Sequence, residues 1–287
     1  MEPSITPSTE QPIVDLAKWK AQLKRLHPHY QSQAPFPHIV LDDFLPTESA
    51  QKALRAFPSV QDEGWIHYVH YNEKKHGLNK MELLPTYIQQ LIQRFNTPDF
   101  VAFLSELTGI PNLVADPDLE GGGLHQSARN GFLNIHADFT VHPHKRQWRR
   151  RVNLLLYLNE PWPAHYKGDL ELWARDMSEC VQKIAPIYNR CVIFNTDEDS
   201  YHGLPDPIQC PEGETRKSIA LYYFTIESEA PAKQATNYRA RPQDGWRRYL
   251  IYADKKLIAL YNKLKGWLGI NDDLASRILH FLNRKRR

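Results

Sequence analysis

The chain has 287 residues, of which 36 are Lys or Arg and 33 are Asp or Glu, so its formal net charge is only +3. Hydrophobic residues make up 41% and aromatic residues 11%, which excludes a disordered, collagen-like or low-complexity chain. Three cysteines exclude a disulfide framework, and the lack of any apolar run of about 18 residues excludes a membrane-spanning helix.

The first part of the chain predicts a helical support with two strands. Apolar residues recur at helical intervals over 14–26, which indicates an amphipathic helix. After two prolines, 38–45 (HIVLDDFL) predicts a strand, and the alternating aromatic segment 65–71 predicts a second one. Two more helices are predicted, over 84–95 and 99–107.

From residue 121 onward the pattern changes to short apolar segments separated by turns. Strands are predicted there over 132–138, 151–159, 169–173, 191–195 and 218–225. Because no long helix lies between them, these strands favour an antiparallel barrel or sandwich.

The C-terminal part of the chain is basic, and helices are predicted over 246–268 and 272–284. The segment 236–287 carries 13 Lys or Arg against 4 Asp or Glu. Basic residues are also interleaved with aromatic ones at 142–151 (HPHKRQWRRR). Contact with nucleic acid or an anionic membrane is one interpretation of these segments. Solvated faces of ordinary helices are the favoured interpretation.

A histidine and an aspartate stand two residues apart in the segment 134–138 (NIHAD). Side chains at i and i+2 of a strand project from the same face, so His136 and Asp138 can occupy adjacent positions on one metal ion. Such a pair alone is also typical of a surface histidine beside a solvated aspartate. His202, which follows the apolar run 191–195, adds a second imidazole. Two histidines and one carboxylate form the facial triad that holds non-haem Fe(II) and leaves positions open.

An arginine and a serine open the apolar strand that follows. Arg216 and Ser218 stand two residues apart and share one strand face. A planar guanidinium binds a carboxylate through two hydrogen bonds, which suits an anchor for an anionic ligand.

Taken together, these motifs resemble the Fe(II)/2-oxoglutarate-dependent oxygenases, in particular the prolyl-4-hydroxylase-like branch. The segments that carry the resemblance are HAD at 136–138, RVNLLLYLN at 151–159, GDLELW at 168–173, CVIFNT at 191–196, YHG at 201–203 and RKS at 216–218. The resemblance covers roughly 120–228. It implies a mainly β fold with flanking helices (α+β) around a double-stranded β-helix, also called a jelly roll.

The resemblance also implies roles for individual residues. The metal ligands would be His136, Asp138 and His202. Arg216 would bind the distal carboxylate of 2-oxoglutarate, with Ser218 and Tyr157 beside it. Gln126 stands where relatives often have a tyrosine near the cosubstrate, so it is a further candidate contact. The long segment before Arg216 leaves Lys217 as an alternative anchor, although the spacing to Ser218 favours Arg216.

The implied activity is the hydroxylation of an unactivated C–H bond with Fe(II), 2-oxoglutarate and O2, releasing succinate and CO2. The retained carboxylate of Asp138 favours hydroxylation, since halogenating relatives lack it. The predicted partner is a small-molecule or peptidyl substrate: a prolyl or other aminoacyl residue, or a small metabolite. The oligomeric state stays open. The alternative function is a non-catalytic jelly-roll module that binds through its basic C-terminal segment.

Two other interpretations of the metal site are weaker. His125, His142, His144 and His165 lie near the motifs in sequence and would be an alternative set of ligands, but none has the strand context of His202, so they are interpreted as loop or surface residues. A cupin-type metal site would use a similar barrel, but cupins bring two histidines close together where this chain has a histidine and an aspartate.

The predicted organisation is one oxygenase domain with extensions. A polar segment and amphipathic helix occupy 1–34, the oxygenase domain occupies 35–228 with its motif-bearing core at 120–228, and a basic helical extension occupies 229–287. No apolar signal region stands near the N-terminus, which predicts a cytoplasmic protein.

Overall fold

The computed structural model of the protein describes residues 12–254 and residue 256. Its helices lie mostly in the first third of the chain. In order they are α1 (Leu16–Lys20), α2 (Leu23–Ser32), α3 (Thr47–Ala56), α4 (Thr86–Phe95) and α5 (Pro98–Thr108). The single helix predicted over 14–26 is wrong in one respect, because a turn at Ala21 and Gln22 divides it into α1 and α2. The helices predicted over 84–95 and 99–107 are confirmed as α4 and α5.

The strands of the described residues form one continuous hydrogen-bonded system. In chain order they are β1 (His38–Leu41), β2 (Ile66–His70), β3 (Glu73–Leu78), β4 (Val114–Ala115), β5 (Gly123–Ala128), β6 (Phe132–Ala137), β7 (Trp148–Tyr157), β8 (Leu170–Trp173), β9 (Cys180–Ile184), β10 (Arg190–Asn195), β11 (His202–Leu204), β12 (Thr215–Ile226) and β13 (Asn237–Tyr238). Every strand predicted from the sequence is present, although the one predicted over 38–45 ends at Leu41. The strands β3, β4, β5, β9, β11 and β13 are additions that the sequence pattern did not indicate.

The strand order defines the fold. One layer has the order β1-β10-β7-β12-β5 and the other has the order β6-β11-β8-β9. The strand β3 pairs antiparallel with both β5 and β6, so it joins the two layers. Strands that follow each other along the chain mostly alternate between the layers, which is the winding of a jelly roll. The predicted fold, mainly β with flanking helices around a double-stranded β-helix, is confirmed.

Side-chain alternation along β7 separates the hydrophobic core from the interior of the roll. Leu154 and Leu156 are fully buried in the core that the larger layer shares with the helices. Asn153, Leu155 and Tyr157 point to the opposite face and line a cavity between the two layers. The strand period of two therefore gives β7 one face for stability and one face for a site.

The part of the C-terminal extension that the structure describes packs on the β core. Tyr238 of β13 lies opposite His136 of β6. Beyond β13, the helical residues 247–254 dock on the turn between β2 and β3, where Asn72 Nδ2 donates to Ile251 O at 3.1 Å and to Asp254 Oδ2 at 2.7 Å. The predicted helix over 272–284 and most of the one over 246–268 lie outside the described residues. No described helix has both the length and the apolar character that crossing a membrane requires.

An imidazole connects this docked helix to the strands. His70 Nδ1 lies 2.9 Å from Asp254 Oδ2, and His70 Nε2 lies 2.8 Å from Glu73 Oε1. Burial disfavours the charged imidazole, but the two carboxylates outweigh it and raise the pKa of His70 above its ordinary value. The charged form therefore stabilises the contact between the C-terminal helix and the β2–β3 turn.

The variant His70→Gln should lose more stability in acid than in base. The pKa of His70 is higher in the folded protein than in the unfolded chain, so its charged interaction contributes fully to the free energy of unfolding when the pH is below the unfolded pKa. This contribution is lost as the pH rises through the folded pKa. The free energy of unfolding in urea should therefore fall more, relative to the parent, at about pH 5.5 than at about pH 9. The exposed His29 of α2 offers the control His29→Gln. An equal loss at both pH values for His70→Gln would contradict the charged interaction.

Candidate active site

Two neighbouring strands bring the predicted metal ligands together. His136 lies near the end of β6, and Asp138 is the first residue after that strand. His202 is the first residue of β11 and lies opposite His136. One ligand atom from each of the three side chains lies within 4.8 Å of the others. The next residue, Gly203, allows this approach, since a Cβ there would lie 2.8 Å from the carbonyl oxygen of Leu133. The convergence on one point thus depends on a glycine in β11.

Both imidazoles are oriented by a backbone carbonyl. His136 Nδ1 lies 2.9 Å from Asn134 O, and His202 Nδ1 lies 2.9 Å from Ser200 O. A carbonyl only accepts, so each Nδ1 carries the hydrogen and each Nε2 keeps a free lone pair. Burial is the main cause that lowers the pKa of His202 to about 4, so its ring is neutral at neutral pH. The Nε2 atoms lie 3.6 and 3.5 Å from oxygens of Asp138.

The carboxylate of Asp138 is held in its charged form. Burial by itself would favour the neutral acid, but the charge of Arg150 is the main cause that keeps the pKa of Asp138 well below its ordinary value. Arg150 Nη2 lies 3.0 Å from Asp138 Oδ2, and Asn153 Nδ2 donates to the same oxygen at 2.8 Å. One carboxylate and two neutral imidazoles are the donor set of a non-haem Fe(II) site, so the residues present fit that ion.

An anion-binding end lies in the same cavity. Arg216 is buried, its Nε donates to Gly168 O at 2.7 Å, and its guanidinium lies 4.7 Å from the ring centre of Tyr157. Within the described residues no carboxylate forms an ion pair with Arg216, and the buried hydroxyl of Tyr157 has no hydrogen-bond partner. Ser218 lies directly opposite Tyr157 across the β12–β7 pairing. A buried cation and an unpaired hydroxyl fit the distal carboxylate of 2-oxoglutarate.

The alternative anchor, Lys217, points away from this cavity. It is paired with Gln126 across β12 and β5, and its ammonium donates to Thr215 O at 3.2 Å. The strand period places Arg216 and Ser218 on the cavity side and Lys217 on the other.

The predicted cosubstrate contact of Gln126 is wrong. The strand β5 directs His125 and Ser127 into the cavity and turns Gln126 to the opposite face. There Gln126 Nε2 donates to Pro58 O at 2.7 Å and Gln126 Oε1 accepts from Thr215 Oγ1 at 2.7 Å. The sequence interpretation of His125 as a loop or surface residue is wrong for the same reason. Burial, and next the charge of Lys75, lower the pKa of the His125 imidazole to about 3.

A second group of possible ligands, Asp116, Asp118 and His142, has no free place for a metal. The Lys145 ammonium lies 2.6 Å from Asp118 Oδ2 and 3.5 Å from Asp116 Oδ1. The backbone amides of His144 and Lys145 donate to His142 Nδ1, so the other ring nitrogen carries the hydrogen and points to Asp116. His142 is therefore a buried structural residue and not the loop or surface histidine that the sequence indicated.

Sequence reasoning missed residues that support the site. Arg150 was part of the basic segment 142–151 and was assigned to the surface, yet only 1% of it is exposed and it contacts Asp138. Gly168 belongs to the sequence motif at 168–173, which indicates no role for the glycine itself, yet its carbonyl accepts a hydrogen bond from Arg216 Nε. Neither an arginine in a basic segment nor a glycine indicates such a role by its residue type. The one signal for Gly168 is its position two residues before the apolar strand β8.

The chain resembles known oxygenases in sequence and in structure. Residues 122–224, which include the triad, Tyr157, Arg216 and Ser218, match the family model of the 2OG-Fe(II) oxygenase superfamily. No curated protein matches the chain in a sequence search.

Several solved structures share part of the fold. A prolyl-4-hydroxylase from Pseudomonas putida is 17% identical with a TM-score of 0.48, and the match covers 70% of this chain and 98% of that one. A prolyl hydroxylase from Trichoplax adhaerens, solved with a peptide fragment of the hypoxia inducible factor oxygen degradation domain, is 18% identical with a TM-score of 0.49 over 75% and 94%. HygX from Streptomyces hygroscopicus, with nickel and 2-oxoglutarate bound, is 10% identical with a TM-score of 0.45 over 75% and 96%.

Replacement of Gly168 by Ala should weaken the binding of 2-oxoglutarate by about tenfold. Gly168 has φ +84°, and an added Cβ would lie 3.2 Å from Cδ of Arg216, so the guanidinium would have to move. Calorimetric titration of 2-oxoglutarate into the Mn(II)-loaded protein measures the affinity without turnover. The matched control is Gly213→Ala, because Gly213 has φ +88° but nothing within 4 Å of the new Cβ. Equal losses of affinity in the two variants would show that backbone strain, and not the contact with Arg216, is responsible.

Proposed function

We propose that this chain, whose residues 122–224 form a domain of the 2OG-Fe(II) oxygenase superfamily, hydroxylates an unactivated C–H bond of its substrate. In that reaction one oxygen atom of O2 enters the substrate, and the other enters the succinate that forms from 2-oxoglutarate as CO2 is released. The observation that carries the proposal is that one cavity contains both the His136–Asp138–His202 cluster and the anion-binding end at Arg216.

The predicted cofactors, Fe(II), 2-oxoglutarate and O2, are confirmed by the superfamily match together with the His–Asp–His cluster. When bound, the ferrous ion supplies the activation of O2. The residues of the chain supply the rest. His136 and His202 offer neutral nitrogen atoms, and Asp138 adds one negative charge, so the site keeps a net positive charge that favours an anionic cosubstrate.

The other residues of the cavity orient the cosubstrate and exclude water. Arg216 offers a charged donor to the distal carboxylate, and the unpaired hydroxyl of Tyr157 adds a second donor. The leucines that line the cavity are Leu133, Leu155, Leu170 and Leu204. Their apolar surface lowers the local polarity, which strengthens the ion pair at Arg216 and shields the reacting centre.

The proposed substrate is an aliphatic group, either a prolyl or other aminoacyl residue or part of a small metabolite. The leucine-lined wall of the cavity suits the insertion of one apolar side chain or a small molecule. The retained carboxylate of Asp138 occupies the position that a halide would need, so hydroxylation is proposed rather than halogenation.

The proposal is tested by incubating the protein with Fe(II), 2-oxoglutarate and a cell lysate. Succinate should form, and untargeted mass spectrometry should find a product that is one oxygen atom heavier than its substrate. A protein that binds no iron and forms no succinate would instead be the non-catalytic binding module, whose basic segment lies mostly outside the described residues.

The variants His136→Ala and Asp138→Ala should abolish 2-oxoglutarate turnover, because each removes one of the three donors that hold the metal. Succinate release measures the effect, and Fe(II) binding should weaken in parallel. The exposed His165 offers the control His165→Ala, which should keep the parent rate. Full activity in either cluster variant would show that the metal is held elsewhere.

The variant Arg216→Ala should raise the 2-oxoglutarate concentration for half-maximal rate by about a hundredfold or more. Breaking a buried charge pair costs about 3–5 kcal/mol, which corresponds to at least that change. The measurement is the rate of succinate release against 2-oxoglutarate concentration. Lys217→Ala, which removes the neighbouring cation on the opposite strand face, is the control and should leave the requirement unchanged. A reversed pattern would identify Lys217 as the anchor.

A further inference from the structure

The two carboxylate oxygens of Asp138 have different surroundings. Oδ2 accepts a hydrogen bond from Asn153 Nδ2 at 2.8 Å, forms an ion pair with Arg150 Nη2 at 3.0 Å and lies 3.5 Å from His202 Nε2. Oδ1 lies 3.6 Å from His136 Nε2 and accepts no hydrogen bond from any described residue. A carboxylate oxygen has about two lone-pair directions. The hydrogen bond of Asn153 and the charge of Arg150 are therefore both directed at Oδ2, and Oδ1 receives neither.

The guanidinium that contacts Oδ2 is held by hydrogen bonds and by aromatic rings. Arg150 Nε and Nη2 donate to Asn153 Oδ1 at 3.0 and 2.7 Å. The guanidinium carbon lies 3.4 Å from the ring centre of Tyr222 and 4.5 Å from that of Phe139, so it contacts two aromatic rings, which stand at 84° to each other. Tyr222 is anchored in turn, because its hydroxyl donates to Gly121 O at 2.9 Å. The charged group is held in place before any ligand arrives.

A β-bulge brings Arg150 and Asn153 to the same face of β7. In a regular strand, residues three apart point to opposite faces. The pairing with β12 shifts at this point: Tyr223 lies opposite Val152, whereas the next residue, Phe224, lies opposite Arg150. Arg151 is thus the extra residue, and it redirects the side chain of Arg150 toward Asp138. Bulges beside active sites commonly have this effect.

We infer that Arg150 and Asn153 are positioning residues that hold Asp138 Oδ2 and present only Oδ1 to the metal. This inference rests on the proposed role of Asp138 as a metal ligand. A carboxylate that is free to rotate can bind a cation through both oxygens, and it would then occupy a position that the cosubstrate or O2 needs. The charge of Arg150 also offsets the charge of Asp138, which preserves the attraction of the site for an anion.

The test compares Arg150→Met and Asn153→Ala with the parent protein loaded with Mn(II). Asn153→Ala keeps the buried guanidinium, so it remains informative if Arg150→Met does not fold. The affinity for 2-oxoglutarate, measured by calorimetry, should fall by about tenfold in each variant. The second measurement is infrared spectroscopy of protein that carries carbon-13 at its aspartate carboxyl groups, before and after the addition of Mn(II). In the two variants, the antisymmetric and symmetric carboxylate bands that respond to Mn(II) should lie closer together than in the parent, as expected when both oxygens bind the metal. The control is Arg149→Met, which makes the same change one residue earlier at an exposed position of β7.

Two results would overturn the inference, and they are distinguishable. If the variants lose thermal stability but keep the parental band spacing and a 2-oxoglutarate affinity within about twofold of the parent, Arg150 and Asn153 only support the fold. If the parent protein itself binds no Mn(II), the assignment of the metal ligands fails, and the inference fails with it. A defect confined to the Arg150 and Asn153 variants leaves the proposed function intact and supports their positioning role.

Discussion

The antiparallel contact between β6 and β11 is the constraint on which the whole site depends. It places His136 opposite His202, although 65 residues separate them in the sequence. The contact requires Gly203, because any side chain there would collide with the backbone of β6. Since β6 and β11 lie far apart in the sequence, the imidazoles meet only when these two strands of the smaller layer pair. The metal cluster is therefore a product of tertiary strand pairing and not of a local segment.

Two buried arginines show how the same residue type is used in opposite ways. Arg150 is neutralised by Asp138, donates hydrogen bonds to Asn153 and contacts two aromatic rings. Arg216 donates to one backbone carbonyl and has no carboxylate partner within the described chain. A buried charge without a partner is costly, so the second arrangement is explained by a ligand that completes it. The first arrangement stabilises the charged ligand residue itself.

Much of the site could be predicted from the sequence because its signals are local. The spacing of His136 and Asp138, the apolar run before His202, and the pairing of Arg216 with Ser218 all follow from the strand period of two. The predictions for Gln126 and Arg150 were wrong because both depend on which face of a strand points inward. The register of β5 against β12 turns Gln126 outward, and the bulge in β7 turns Arg150 inward. Neither register nor bulge is visible in residue types alone.

The sequence by itself determined the class of the fold, the donor types of the site and the superfamily, because hydrophobic periodicity and short motifs are properties of neighbouring residues. Only the tertiary structure decided which side chains share the cavity, that Asp138 is held through one oxygen, and that residues 237–254 pack against β6 and the β2–β3 turn. Those features depend on contacts between segments far apart in the chain. Strand register and the closure of the two layers set these contacts, and both are settled by the packing of the whole domain.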